Sequence, residues 1–160
     1  MKNWIGYVII AAGVAGYNLA TQADRDSSGA IVDAGNIGAF QLRSGDCFND
    51  AGFSFEGEEE ISSLPGVPCS QPHDNEVYAV FDVSLESYPA SEDTMFEHAL
   101  EQCLDRFTGF VGIAYEVSEL DILTLYPTQE SWRQNDREVV CAVYDMNNTQ
   151  LVGSARDLGR

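Results

Sequence analysis

Four cysteines constrain this chain more than any other feature. Cys47, Cys69, Cys103 and Cys141 are widely spaced, and none belongs to a Cys-x-x-Cys pair. That pattern argues against a zinc ribbon and against a thioredoxin-like redox pair, both of which need two sulfurs close together in the chain. Whether the four are thiols or bridges is then a question of compartment, because disulfides persist where the surroundings oxidise them.

The N-terminus speaks to compartment. Residues Trp4 to Ala20 read WIGYVIIAAGVAGYNLA, with Asn18 the only strongly polar side chain. As a helix, about 17 residues span roughly 26 Å, close to the ~30 Å hydrocarbon core of a bilayer. Lys2 precedes the run and Asp24-Arg25-Asp26 follows it. The positive-inside rule then puts the N-terminus in the cytoplasm and the rest outside. A cleaved signal peptide is the rival reading, since Thr21-Gln22-Ala23 offers a small-residue cleavage site. The length of the apolar run and the single charge ahead of it favour an anchor. Both readings export residues 24–160. Within the run, Gly6, Ala12, Gly13 and Gly16 are small. Ala12 and Gly16 share a helix face, where small residues admit a neighbouring helix, although Gly and Ala are common in any membrane segment.

Residues 21–39 are rich in Gly, Ala, Ser and Asp and show no periodicity, which predicts a flexible tether. The expected organisation is a membrane anchor at 1–23, a tether at 24–39 and an extracytoplasmic domain at 40–160. The chain carries 26 Asp+Glu against 8 Lys+Arg, a formal charge of −18. Beyond residue 23 there are 26 acids and 7 bases, or −19. Phosphate backbones need clustered bases, so nucleic acid is excluded as a partner, and so is a basic docking surface for anionic lipid. A hydrophobic content of 44% and an aromatic content of 11% fit a packed domain rather than an acidic disordered tail.

Ser91 opens the clearest element of that domain. It precedes Glu92-Asp93-Thr94 and an apolar stripe at Met95, Ala99, Leu100, Cys103, Leu104 and Phe107. The spacing predicts a helix over about 92–107, with Gly109 ending it and Arg106 in its last turn. Val77–Leu85, Ile122–Tyr126 and Val139–Tyr144 are β-branched and aromatic runs, hence strands. Gln41-Leu42 and the Gly109–Tyr115 stretch offer further short strands. The fold expected is α+β: a small antiparallel sheet with one principal helix packed on it, preceded by a single transmembrane helix. Four cysteines allow three connectivities. Cys103 on the buried helix face and Cys141 in mid-strand favour Cys103–Cys141, which leaves Cys47–Cys69 to clip the acidic loop that includes Glu56–Glu60.

The densest cluster of reactive side chains is Val67-Pro68-Cys69-Ser70-Gln71-Pro72-His73-Asp74-Asn75-Glu76. His73, Asp74 and Glu76 are the residue types of a metal site or an acid–base pair. A site needs convergent partners, however, and His98, the only other histidine, follows Glu97 on the helix surface. No nucleophile elbow, phosphate loop or His-Glu-x-x-His is present. His73 is therefore read as a loop residue whose ring bonds nearby backbone or Asp74, and no catalytic residue, metal or cofactor is expected.

Gly45-Asp46-Cys47-Phe48, the Val67–Val77 block, helical Cys103, Pro127-Thr128-x-x-Ser131-Trp132 and Asp136-Arg137-x-Val139-x-Cys141 together resemble the actinobacterial septum-formation domain family. The likeness runs from about Arg43 to Ser154. It implies an envelope-facing, disulfide-bonded domain and little biochemistry. The family pattern tends to place Gly before the Asp-Arg pair. Here Asn135 stands there, a residue that tolerates φ > 0. In physical terms Gly45-Asp46 is a turn presenting Cys47, and Pro68 and Pro72 stiffen the second cysteine loop. Thr128 caps a short helical turn that carries Trp132 to the core. Arg137 is expected to pair with Asp74, Asp46 or Glu76.

The leading functional expectation is a non-catalytic, membrane-anchored interaction protein of the plasma membrane. Its partner would be an integral membrane complex: division machinery, or a larger assembly such as a respiratory complex. A module for cell-wall polymer or a small ligand is the alternative, with Tyr78, Tyr88, Tyr115, Tyr126, Tyr144 and Trp132 lining a groove. An enzyme built on His73 comes third.

Overall fold

The helix that the apolar spacing predicts is the longest element. In the computed structural model, which describes residues 5–9, 22–50, 61 and 63–160, it runs Glu92–Val111 and is named α1. The Ser91 hydroxyl accepts from the Thr94 N–H at 3.2 Å, and Glu92 and Asp93 meet the positive end of the dipole. The C-terminal end differs from the expectation. Gly109 lies inside the helix, because Phe110 and Val111 extend the buried stripe. Burying two large apolar side chains outweighs the ~1 kcal/mol helix penalty of one glycine. The helix stops at Gly112, whose φ of 86° lets its N–H reach the Thr108 carbonyl. The last turn consequently holds no base, and Arg106 sits upstream of it.

In chain order the strands are β1 (Ile5–Ile9), β2 (Asp24–Arg25), β3 (Ile31–Asp33), β4 (Gly35–Gly38), β5 (Cys47–Phe48), β6 (Ser63–Val67), β7 (Asn75–Asp82), β8 (Leu120–Pro127) and β9 (Glu138–Asp145). A short helix α2 spans Gln129–Arg133. Among the described residues seven strands form one sheet in the order β1-β8-β9-β7-β5-β6-β4, and β2 pairs with β3 separately. Neighbours are antiparallel except β1, which runs parallel to β8. The three strands read from the sequence are the sheet's centre. The two short strands are not strands: Ala39–Gln41 is a 3-10 turn, and 109–115 holds the end of α1 and the start of another 3-10 turn, Tyr115–Val117.

α1 covers one face, packing Met95, Ala99, Cys103, Phe107 and Val111 on Tyr78, Ile122, Tyr126, Val139 and Val143. The opposite face has a core of its own. There Ile31, Ile37, Ala39 and Leu42 close over Phe48, Leu64, Val77, Leu123, Leu125 and Val140. Strands β8 and β9 are therefore buried on both faces, which is why their sequences are apolar without alternation. Both disulfides have the expected pairing, Cys47–Cys69 and Cys103–Cys141, with Cα separations of 5.2 and 5.6 Å. The second staples α1 to β9.

The segment expected as a tether is part of the fold. β4 pairs with β6, Gly35 opposite Gly66 through Gly38 opposite Ser63. The segment's three buried apolar residues, Ile31, Ile37 and Ala39, lie at irregular spacing among glycines and acids, so they carry no periodic signal. Gly66 is required by this packing, since a Cβ there would lie 2.2 Å from Ile37 Cδ1. Phe40, where the domain was expected to begin, is 40% exposed.

The expected membrane helix falls partly on Ile5–Ile9, which is extended and pairs with β8, Ile5 opposite Leu123 and Ile9 opposite Pro127. The sequence IGYVI there includes β-branched and aromatic residues, which favour strands. Gly6 is in this strand. Ala12, Gly13 and Gly16 lie outside the described residues, as does the acidic run Glu56–Glu60. No helix among the described residues is long and apolar enough to cross a membrane.

Candidate functional site

Most of the motif residues converge on the Cys47–Cys69 corner. Register builds it: β5 sets Cys47 opposite Glu76 on β7 and opposite Val67 on β6. From Val67 the chain passes through Pro68 directly to Cys69. Before Cys47, Gly45 has a φ of 92°, a conformation costly for a residue with a Cβ. Its N–H donates to the Val77 carbonyl at 2.7 Å, and the Val77 N–H donates to the Asp46 carbonyl at 2.8 Å. The turn is thus tied to β7 on both sides of Gly45-Asp46.

Asp46 is 2% exposed and accepts from both Arg25 Nη atoms, at 2.5 and 2.8 Å, and from the Arg43 N–H at 2.8 Å. The hydrogen bond to Asp46 holds the Arg25 guanidinium above its usual range. Arg25 takes the place that Arg137 was expected to fill. Asp74 accepts from the Asp50 N–H at 2.9 Å and from Gln150 Nε2 at 3.0 Å. Burial, with the Asp74 charge nearby, raises the Asp50 carboxyl above its ordinary value, and the Asn75 amide works against it.

His73 is fully buried. Its backbone exchanges two hydrogen bonds with Leu151, 3.0 Å and 2.7 Å. Ring Nδ1 lies 2.8 Å from the Gln71 carbonyl, an acceptor, so Nδ1 carries the proton and Nε2 is left with a lone pair. Nε2 has no partner. Glu76, 2% exposed, accepts from Ser154 Oγ at 2.6 Å and from the Ala155 N–H at 2.5 Å. Hence no acid–base pair forms: His73 is bonded to neither Asp74 nor Glu76. Ligand atoms of Cys47, His73 and Glu76 nevertheless lie within 4.8 Å of one another.

Trp132 and Arg137 belong elsewhere. Thr128 caps α2 in a reciprocal pair of bonds with Ser131, 2.9 and 3.0 Å, and α2 delivers Trp132 to the core. The Arg137 guanidinium stacks 3.4 Å from the Trp132 ring centroid and donates to the carbonyls of Trp132 and Asp136. It pairs with none of Asp46, Asp74 and Glu76, because an aromatic face and two carbonyls beside it use its planar fork. Asn135 has a φ of 72°, so the turn expected of a glycine is kept by asparagine.

The aromatic groove of the alternative reading does not assemble. Tyr78, Tyr115, Tyr126 and Trp132 are buried, Tyr78 donating to the Cys103 carbonyl at 2.8 Å and Tyr115 to Asp121 at 2.5 Å. His98 is exposed on α1, away from the corner. A cavity of about 400 Å³ borders Arg25, Asn36, Phe40 and Arg43, and its best-placed base, Arg25, is committed to Asp46. Sequence reasoning missed Arg25, Leu151, Ser154 and Ala155 as parts of the corner. Arg25 carried a usable signal, as the one base between Lys2 and Arg43. The tail residues carried none.

No curated protein and no solved structure matches this chain. The family model described as septum formation matches residues 42–158, which takes in the corner apart from Arg25, both disulfides and α1, and the chain therefore belongs to the septum-formation family.

Proposed function

We propose that this protein is a non-catalytic interaction subunit, anchored in the plasma membrane with its folded domain outside, that serves a division or envelope complex. Family membership supports a division-related role. The exposed side of α1 carries the interaction reading. Asp93, Glu97, Glu101 and Asp105 recur every fourth residue there, and all four are exposed. Like charges at that spacing each cost a helix a few tenths of a kcal/mol. Folding does not favour such a stripe, whereas a basic surface on a partner does. The carboxylates of the cysteine corner are held in internal bonds, so they add nothing to this surface.

Anchoring rests on the apolar run Trp4–Ala20. It requires Ile5–Ile9 to leave the β8 edge for the bilayer, where a helix satisfies its backbone groups internally. Purification of the full chain from native membranes in mild detergent tests both parts. An integral membrane partner should co-purify, and neutralising the stripe with D93N, E97Q, E101Q and D105N together should release it. A free monomer in the membrane fraction overturns the interaction reading. Recovery of the whole chain in the soluble fraction overturns the anchor.

A further inference from the structure

We propose that the Cys47–Cys69 corner is a redox-gated site for a zinc-like divalent cation, held by Cys47, Cys69, His73 Nε2 and Glu76 once the disulfide is opened. Three observations converge on it. His73 Nε2 is a buried lone pair without a hydrogen-bond partner, a condition that buried polar atoms rarely keep. Its other nitrogen is fixed on the Gln71 carbonyl at 2.8 Å, the arrangement that orients a metal-ligating imidazole. Glu76 is buried, and none of the ion pairs among the described residues reaches it. Ser154 and Ala155 hold its oxygens as supporting bonds hold a ligating carboxylate.

The candidate ligand atoms are already close together. Cys47 Sγ, His73 and Glu76 offer atoms within 4.8 Å of one another, and Cys69 Sγ is bonded to Cys47 Sγ. Zinc at about 2.3 Å from sulfur and about 2.0 Å from nitrogen or oxygen brings ligand atoms to roughly 3.3–3.8 Å, so atoms as much as 4.8 Å apart must close by about 1–1.5 Å. In the oxidised chain the sulfurs are spent on each other, and His73 with Glu76 supplies too few ligands.

A phosphine reductant opens the site. Phosphorus attacks the Sγ of Cys69, the less buried of the two residues, the S–S bond breaks, and Cys47 leaves as a thiolate that takes a proton from water. Water then converts the phosphorus–sulfur adduct to phosphine oxide and the Cys69 thiol. Phosphorus is oxidised and both sulfurs are reduced. The cation binds both sulfurs as thiolates and releases two protons. The corner thus has two alternative cross-links, one covalent and one metallic, for oxidising and reducing conditions.

This inference does not rest on the interaction reading, and its test uses the purified full chain. Cobalt is titrated into phosphine-treated and untreated protein. The reduced chain should take one equivalent, with thiolate-to-cobalt charge-transfer and tetrahedral d–d bands, and the oxidised chain should show neither. H73Q and E76Q should each weaken binding by about tenfold or more. The variant C103A with C141A should keep the bands. Zinc should also raise the Tm of the reduced, unmutated chain and leave that of the oxidised chain unchanged, a readout independent of how the variants fold. Absence of binding by the reduced chain overturns the site, and so does undiminished affinity in H73Q or equal binding by the oxidised chain.

Discussion

Arg25 closes on Asp46 with two bonds from its guanidinium, across 21 residues of sequence, and Asp46 is almost wholly out of water. A paired, planar contact of this kind is worth more than a surface ion pair, because removing one partner strands a buried charge. Arg25→Ala should lower stability by about 2–3 kcal/mol, somewhat less than for a fully dry pair since Arg25 is 18% exposed. A fall in the urea midpoint at unchanged slope checks this. Adding Asp46→Asn to Arg25→Ala should recover part of the loss.

Because Arg25 and β4 belong to the fold, the boundary of the stable domain lies before residue 24. A chain starting at residue 22 should unfold cooperatively. A chain starting at residue 40 exposes the second core face, losing Ile31, Ile37 and Ala39, and β6 loses its β4 partner. Each buried aliphatic side chain contributes about 1.5–3 kcal/mol, so this truncation should remove most of the stability of a domain this size. Amide exchange in β6 should then become fast, and unchanged protection would contradict the boundary.

The Arg137 stack on Trp132 makes a smaller prediction. Arg137→Ala should cost about 1–2 kcal/mol, combining a cation–π contact with two hydrogen bonds to carbonyls. Arg137→Lys should restore the charge without the planar stack and recover only part. Equal stability of the lysine variant and the native protein, measured by thermal unfolding, would show that the stack contributes nothing.

Glu138 sits opposite Asp82 in the β7–β9 register. Burial, then the Asp136 and Asp82 charges, push its carboxyl up from 4.5 to about 7. Between those values the folded chain keeps a proton that the unfolded chain has lost. Stability should therefore fall as pH rises from about 4.5 through about 7, by about 1–2 kcal/mol once solvent screening of a half-buried group is allowed for. Glu138→Gln should match the native protein at pH 4 and exceed it at pH 8. Identical unfolding curves at pH 8 would refute this.

The readings that succeeded were local. Ser91 with the stripe from Met95 to Phe107 is one helix face, and β8 and β9 are apolar because both their faces are covered. Thr128 and Ser131 cap α2 through a pattern three residues long, and Asn135 keeps a turn through its own φ. The readings that failed depended on distant partners. Ile31 and Ile37 show no period, because the sheet they cover lies far along the chain. Arg137 was one base among many acids, and which one it would meet depended on how α2 and β9 bring it beside Trp132.

By itself, the sequence determined the charge, the apolar N-terminal run, the principal helix and the three central strands, and it favoured one pairing of the cysteines. Each follows from residues close in sequence or from the small number of ways to join four sulfurs. Only the tertiary structure decided that residues 24–39 fold, that Arg25 neutralises Asp46, and that His73 and Glu76 meet Cys47 in a dry corner. Those relationships come from strand register, which brings together residues whose separation along the chain carries no local signal.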